Sequence, residues 1–154
     1  MQCVQPELIG KVVASIYRAA LDVSFKRTGA LFVVLRNRKS LRSVVRTGDA
    51  IGDDERARHD REFDRSLSQR KFHVLPRCVA AEISGLDGAV VLANSGELLA
   101  YGAVLDPRKA GRLRGTEGSR TKAAIGASNY GLAVKVSSDG DITVFAQGKR
   151  FLKV

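Results

Sequence analysis

Ala30-Leu31-Phe32-Val33-Val34-Leu35 is an unbroken apolar run. A strand with one wet face alternates apolar and polar residues, so a continuous apolar run requires cover on both faces. One cover lies immediately upstream. Across residues 7–26, Leu8, Val12, Ile16, Ala19 and Val23 recur at spacings of three and four and share one helical face. Pro6 suits the helix start and Gly29 its stop. A helix laid on a doubly covered strand predicts an α/β layered fold: a single domain over 1–154, with a mixed parallel and antiparallel central sheet flanked by helices.

The rest of the chain fits that plan. Residues 79–83 read as a short helix. Val90-Val91-Leu92 and residues 98–105 read as strands joined by Asn94-Ser95-Gly96, a hairpin signal. Residues 132–136 and 142–145 repeat the pattern around Ser138-Asp139-Gly140, and residues 149–153 suggest a final strand. Between the first strand and the second helix, residues 36–72 form a charged, variable insert. It opens with Arg36, Arg38, Lys39 and Arg42, turns at Thr47-Gly48-Asp49, and then mixes acids and bases densely. Such alternation predicts a solvent-exposed helix or mobile loop held by weak ion pairs. His59 and His73 fall in or beside it with no metal-ligand spacing.

The formal charge of +10 is the unusual feature of an otherwise globular composition, with 44% hydrophobic and 27% charged residues. It favours polyanions: nucleotides, nucleic acid or an acidic membrane surface. No aromatic interleaving supports base stacking, so a nucleic-acid-binding module rests on charge alone. Cys3 and Cys78 make neither a disulfide framework nor a metal cluster, which predicts a reduced, cytoplasmic setting. No apolar stretch is long enough to span a bilayer, and Lys11, Arg18 and Asp22 interrupt any signal-peptide core.

Two stretches carry candidate chemistry. In Gly118-Ser119-Arg120-Thr121-Lys122, Ser119 reads as the N-cap of a helix continued by Ala123, Ala124, Ile125 and Ala127. Free N–H groups at a helix start, a glycine permitting close approach, and two cations can together hold phosphate. The same residues also describe a capped helix with a solvated basic first turn. Asp87-Gly88 before Ala89-Val90-Val91-Leu92 places a carboxylate at a strand mouth, where it could bind a divalent cation; it also describes a plain turn. Gly102 and Ala103 keep one strand surface small, which suits approach by adenine or ribose as well as sheet packing. After Asp106-Pro107, Arg108, Lys109, Arg112 and Arg114 suggest a positive loop that is either a phosphate-side lid or a solvated loop.

The order Asp-Gly-Ala, β-hairpin, basic loop, Gly-Ser-Arg-Thr-Lys-Ala-Ala resembles the diadenylate cyclase domain, the nucleotide-binding domain of DNA integrity scanning proteins and membrane-linked cyclases. The likeness extends upstream through Arg27-Thr28-Gly29-Ala30-Leu31-Phe32-Val33-Val34 and downstream through residues 134–145. It implies condensation of two ATP molecules into the second messenger cyclic di-AMP, with Mg²⁺ or Mn²⁺, across a face-to-face homodimer. Asp87 would bind the metal and the attacking ribose hydroxyl. Gly88, Ala89, Gly102, Gly118, Ser119, Arg120, Thr121 and Lys122 would line the nucleotide. The pattern's Arg-His-Arg is matched by Arg120-Thr121-Lys122, with threonine in place of histidine. Its Ser-Glu-Glu is matched by Ser137-Ser138-Asp139, leaving Asp139 as the second candidate metal ligand. Thr121 and Ser138 favour the alternative of a nucleotide sensor that binds without turnover.

Overall fold

The computed structural model describes residues 6–67, 71–106 and 118–154. Six strands form one sheet: β1 (Ala30–Leu35), β2 (Ala89–Ala93), β3 (Leu98–Ala103), β4 (Gly131–Val136), β5 (Ile142–Ala146) and β6 (Lys149–Lys153), in the order β3-β2-β1-β4-β5-β6. β1 and β2 are parallel, and every other neighbouring pair is antiparallel. The expected mixed α/β sheet is therefore present.

Both faces of β1 and β2 are covered, as their apolar runs require. On one face Phe32, Val90, Leu92, Val134 and Val136 pack beneath α1 (Pro6–Phe25), whose Val12, Ile16, Ala19, Ala20 and Val23 are buried. On the other face Leu31, Val33, Ala89, Val91 and Ala133 meet Ala124 and Ala127 of α5 (Ser119–Ala127). Alanines at these contacts let α5 lie close to the sheet. Each large side chain fully buried in such a layer contributes about 1.5–3 kcal/mol.

Two helix boundaries differ from expectation. α1 ends at Phe25, one residue before the expected Lys26, and the stop is made at Arg27 rather than Gly29: Arg27 takes the left-handed conformation (φ 53°) and the Thr28 N–H reaches back to Val23 O at 3.3 Å. The second helix is also longer than expected, spanning Arg77–Ser84 as α4 behind Pro76.

Residues 36–72 are solvated only in part: α3 (Arg58–Leu67) is the expected largely exposed helix, but the segment also packs against the sheet. After a turn at Arg38–Ser40 and the short α2 (Leu41–Val44), the chain runs along the outer edge of β3. Val45 bridges Leu105 and Ala50 bridges Ala100, while the N–H groups of Arg46 and Ile51 donate to Val104 O and Leu99 O at 3.0 and 2.9 Å. This covers what would otherwise be an open sheet edge. The chain then crosses to the α1 face as α3 (Arg58–Leu67), where Phe63 meets Tyr101 edge-on, with centroids 5.8 Å apart.

A buried polar network fixes the crossing. Arg56 grips both carboxylate oxygens of Asp64, donates to Asp49 O at 3.0 Å and lies 4.9 Å from the Tyr101 ring centre. The Tyr101 hydroxyl donates to Asp64. Asp53 accepts from Arg42 and from the backbone N–H groups of Gly48 and Ala50. Burial alone would raise the Asp53 pKa, but these donors outweigh it and hold the carboxyl below its ordinary value. Within a segment whose other charges are mostly exposed, Asp53, Arg56 and Asp64 are thus desolvated and paired.

Candidate functional site

Strand directions place the starts of β1 and β2 and the ends of β3 and β4 along one edge of the sheet. Leu31 stands opposite Ala89, Ala89 opposite Ala103, and Ala30 opposite Val136. The short loop between α4 and β2 brings Asp87 to this edge with its side chain fully exposed. α5 begins at the same edge, and Arg120 extends to within 3.7 Å of the Asp87 carboxylate. The two sequence motifs, more than thirty residues apart, therefore meet in space.

Glycines shape the contact between them. Gly88 has φ 114°, and a Cβ there would lie 2.4 Å from the Gly102 backbone carbon. Gly102 has φ 56° at an irregularity in the β2–β3 pairing, close to the Asp87 carbonyl. Backbone shape thus requires both residues, whatever the ligand. A third glycine contributes by leaving room: a Cβ on Gly29 would lie 1.9 Å from Arg120 Nη1 and 3.3 Å from Val136 O. The Arg120 guanidinium rests in the notch this leaves. Ala89, buried at the start of β2, keeps the adjoining surface small.

The helix start itself differs by one residue from the sequence reading. Gly118 is the N-cap (φ −62°, ψ 156°), Ser119 is the first helical residue, and no cap bond from a side chain forms among the described residues. Extended backbone at Gly118 gives this register without a Ser119 side-chain bond. The first turn of α5 carries no acidic residue, and among the described residues nothing caps its N–H groups or lies within 4 Å of a Cβ placed on Gly118. Ser119 is exposed and Lys122 half-buried one turn further in.

Thr121, expected to line the nucleotide, is buried, and it accepts a hydrogen bond of 2.7 Å from Lys135 Nζ on β4. The sequence reading does not single out Lys135, although β4 carries a signal for it. Ala133 lies on the α5 face while Val134 and Val136 face α1, so strict alternation puts Lys135 on a covered face. A lysine there is out of pattern.

Asp139 sits exposed in the β4–β5 turn, which Ser24 ties to the end of α1 through a 3.0 Å bond to Gly140 O. This turn leaves the same sheet edge. Among the described residues, no three His, Cys, Asp or Glu side chains gather as a metal cage. Cys78 is free and exposed. The basic loop at 108–114, the side chain of His59, and Cys3 lie outside the described residues. His73 packs beside Gly96; burial first, and then Lys71 and Lys11, hold its pKa below the ordinary imidazole value. No described helix is long and apolar enough to cross a membrane.

This geometry defines a mixed-sheet α/β domain with a basic helix start opposite a carboxylate at one sheet edge. The family model for DAC, described as DisA bacterial checkpoint controller nucleotide-binding, matches residues 17–150, and the chain belongs to that family. Among solved structures it is similar to a hypothetical membrane spanning protein from Bacillus cereus. That match has a TM-score of 0.63 at 24% identity and covers 90% of this chain and 61% of that one. The chain thus spans less than two thirds of that relative. It is also similar to DacA from Staphylococcus aureus, solved as an N166C/T172C double mutant, with a TM-score of 0.52 at 21% identity, covering 92% of this chain and 85% of that one. No curated protein matches the chain.

Proposed function

We propose that this chain is a diadenylate-cyclase-type nucleotidyltransferase domain that joins two ATP molecules into cyclic di-AMP and releases two pyrophosphates. The observation that carries the reading is the convergence of Asp87 and the α5 start, 3.7 Å apart at Arg120, in a member of the DAC family. An exposed pair of this kind contributes only about 0–1 kcal/mol, so incoming phosphate can readily take Arg120 from Asp87.

The residues fit a divalent cation. Asp87 offers hard oxygens that are open to solvent, and a site with few protein carboxylates suits Mg²⁺ or Mn²⁺ completed by phosphate oxygens and water. Asp87 would hold the ion, with Asp139 as the second candidate from the same edge. When bound, the ion neutralises phosphate charge and lowers the pKa of the attacking hydroxyl.

The chain's own groups supply the rest. The α5 N–H donors, Ser119, Arg120 and Lys122 hold the phosphate chain, and Gly118 admits it closely. Gly88, Ala89 and Gly102 leave a shelf without bulky side chains for the ribose and base. The freed Asp87 orients the ribose hydroxyl toward the α-phosphorus of a second ATP held by a facing copy. Each attack forms one P–O bond, breaks the α–β bridge and releases the hydroxyl proton to solvent, and the pyrophosphate leaves. Two attacks close the ring, so two copies are required.

A second reading, binding without turnover, is favoured by Thr121, which is buried against Lys135 where the family pattern has histidine. One experiment separates the two. The protein is incubated with ATP and Mg²⁺ or Mn²⁺, and products are separated by chromatography beside Asp87→Ala. Cyclic di-AMP that vanishes in Asp87→Ala is the expected result. No product, but ATP binding that weakens in Arg120→Ala, selects the sensor; no nucleotide binding at all overturns both.

A further inference from the structure

We propose that Lys135 is a phosphate-contacting residue of this site, held ready by Thr121 and specific for ligands with a polyphosphate chain. The proposal rests on the nucleotide reading above and adds a subsite to it.

The geometry starts from the sheet. Ala103, Ala89, Leu31 and Lys135 form one row across β3, β2, β1 and β4. Lys135 therefore stands level with the two alanines at the mouth, on the face covered by α5. Its ammonium reaches the first turn of α5 and donates to Thr121 Oγ1 at 2.7 Å. The neighbouring Arg120 guanidinium rests near Gly29 and Val136 O, beside the same stretch of β4. Two cations from different elements thus belong to the first turn of α5, Arg120 by sequence and Lys135 through its bond to the next residue, Thr121.

Their pairing is incomplete. Among the described residues no carboxylate lies within salt-bridge distance of Lys135, and Asp141, which senses its charge, is bonded to Lys153 at 2.8 Å. An ammonium has three donors and no acceptor, so a single neutral hydroxyl leaves most of its capacity unused. Partly desolvating a cation without a counter-charge costs free energy, as does placing it near a second cation. One anion of high charge bridging Arg120 and Lys135 removes both costs. A structural lysine would be expected to have a carboxylate partner, as Lys153 has Asp141. A tripolyphosphate chain carries the required charge along the required length, whereas a nucleoside monophosphate can satisfy one cation only.

The test is calorimetric titration of the intact chain with ATP, inorganic tripolyphosphate and AMP, run on wild type, Lys135→Met and Lys135→Arg, with melting temperatures alongside. In Lys135→Met, affinity for ATP and tripolyphosphate is expected to fall about tenfold or more, while AMP changes by no more than about twofold. Lys135→Arg is expected to restore most of the loss. Unchanged ATP affinity in Lys135→Met overturns the proposal. So does an equal loss for ATP and AMP with a lowered melting temperature, which makes Lys135 a staple between β4 and α5. Should Lys135→Met not fold, Thr121→Val removes the hydroxyl that holds the ammonium. A loss confined to ATP and tripolyphosphate supports the proposal there, and no loss overturns it. A wild-type chain that binds neither ATP nor tripolyphosphate overturns the parent reading together with this one, whereas wild-type binding with an indifferent Lys135 overturns this one alone.

Discussion

The chain contains two charge assemblies built from the same residue types in opposite states of satisfaction. Beside β3, Arg56, Asp64, Tyr101 and Asp53 are buried, and each has found its hydrogen-bonding partners. At the sheet edge, Asp87 is fully exposed, Arg120 touches it at 3.7 Å, and Lys135 has one neutral partner. The first assembly has little left to offer a ligand and serves to lock the segment after β1 onto β3. The second is loosely paired and therefore receptive. Completeness of pairing, rather than density of charge, separates scaffold from proposed site in this molecule.

The sharpest way to break that comparison is to remove one member of each assembly. Arg56→Met leaves Asp64 buried without its cation and is expected to cost about 3–5 kcal/mol, read as a large fall in the urea midpoint. Asp87→Asn is expected to leave the midpoint where it is and to abolish cyclic di-AMP formation. If Asp87→Asn unfolds the protein as badly as Arg56→Met does, the distinction between the assemblies collapses.

A smaller effect is expected where the site meets the sheet. Gly88→Ala forces φ 114° on an alanine and drives its Cβ to 2.4 Å from the Gly102 backbone. A stability loss of about 1–3 kcal/mol should result, accompanied by weaker ATP binding because Asp87 is displaced with the loop. Lost stability with unchanged ATP affinity would detach this turn from the site.

The smallest effect is the alkaline titration of the closed assembly. Burial, helped by its bond to Asp64 and only partly opposed by Arg56, pushes the Tyr101 pKa up to about 12. The folded state then holds this proton more tightly than an unfolded tyrosine with a pKa of about 10. The stabilisation is therefore complete below pH of about 10 and is lost as pH rises towards 12. Urea midpoints across this window should decline in wild type and decline less in Tyr101→Phe. The 295 nm absorbance step near pH 12 should disappear in the variant.

Features set by local pattern are legible in the amino-acid sequence. The apolar Ala30–Leu35 run, the α1 stripe and both glycine-turn hairpins follow from periodicity and turn chemistry. The meeting of Asp87 with the Gly118–Lys122 stretch is not legible there: the residues name both motifs, and only the fold brings them within 3.7 Å. The insert at 36–72 is misleading on local pattern because its meaning depends on partners remote in sequence. Asp64 is defined by Tyr101 on β3, 37 residues away, and a local average of charge cannot detect that pairing. Lys135 is hidden for a related reason: the apolar clustering of β4 does not reveal it unless the face of each residue is followed in turn.

The notch at Gly29 has a consequence for how this protein can vary. A Cβ at that position would first displace Arg120, since what it meets nearest is the tip of a flexible guanidinium, with the Val136 backbone oxygen next at 3.3 Å. A residue in the connection between α1 and β1, able to touch no ligand, thereby acts as a veto on the charge geometry of the site. On the nucleotide reading, variation there would disturb the site's charge geometry before it disturbs the sheet, so the integrity of such a site has to be judged partly by atoms that must stay missing.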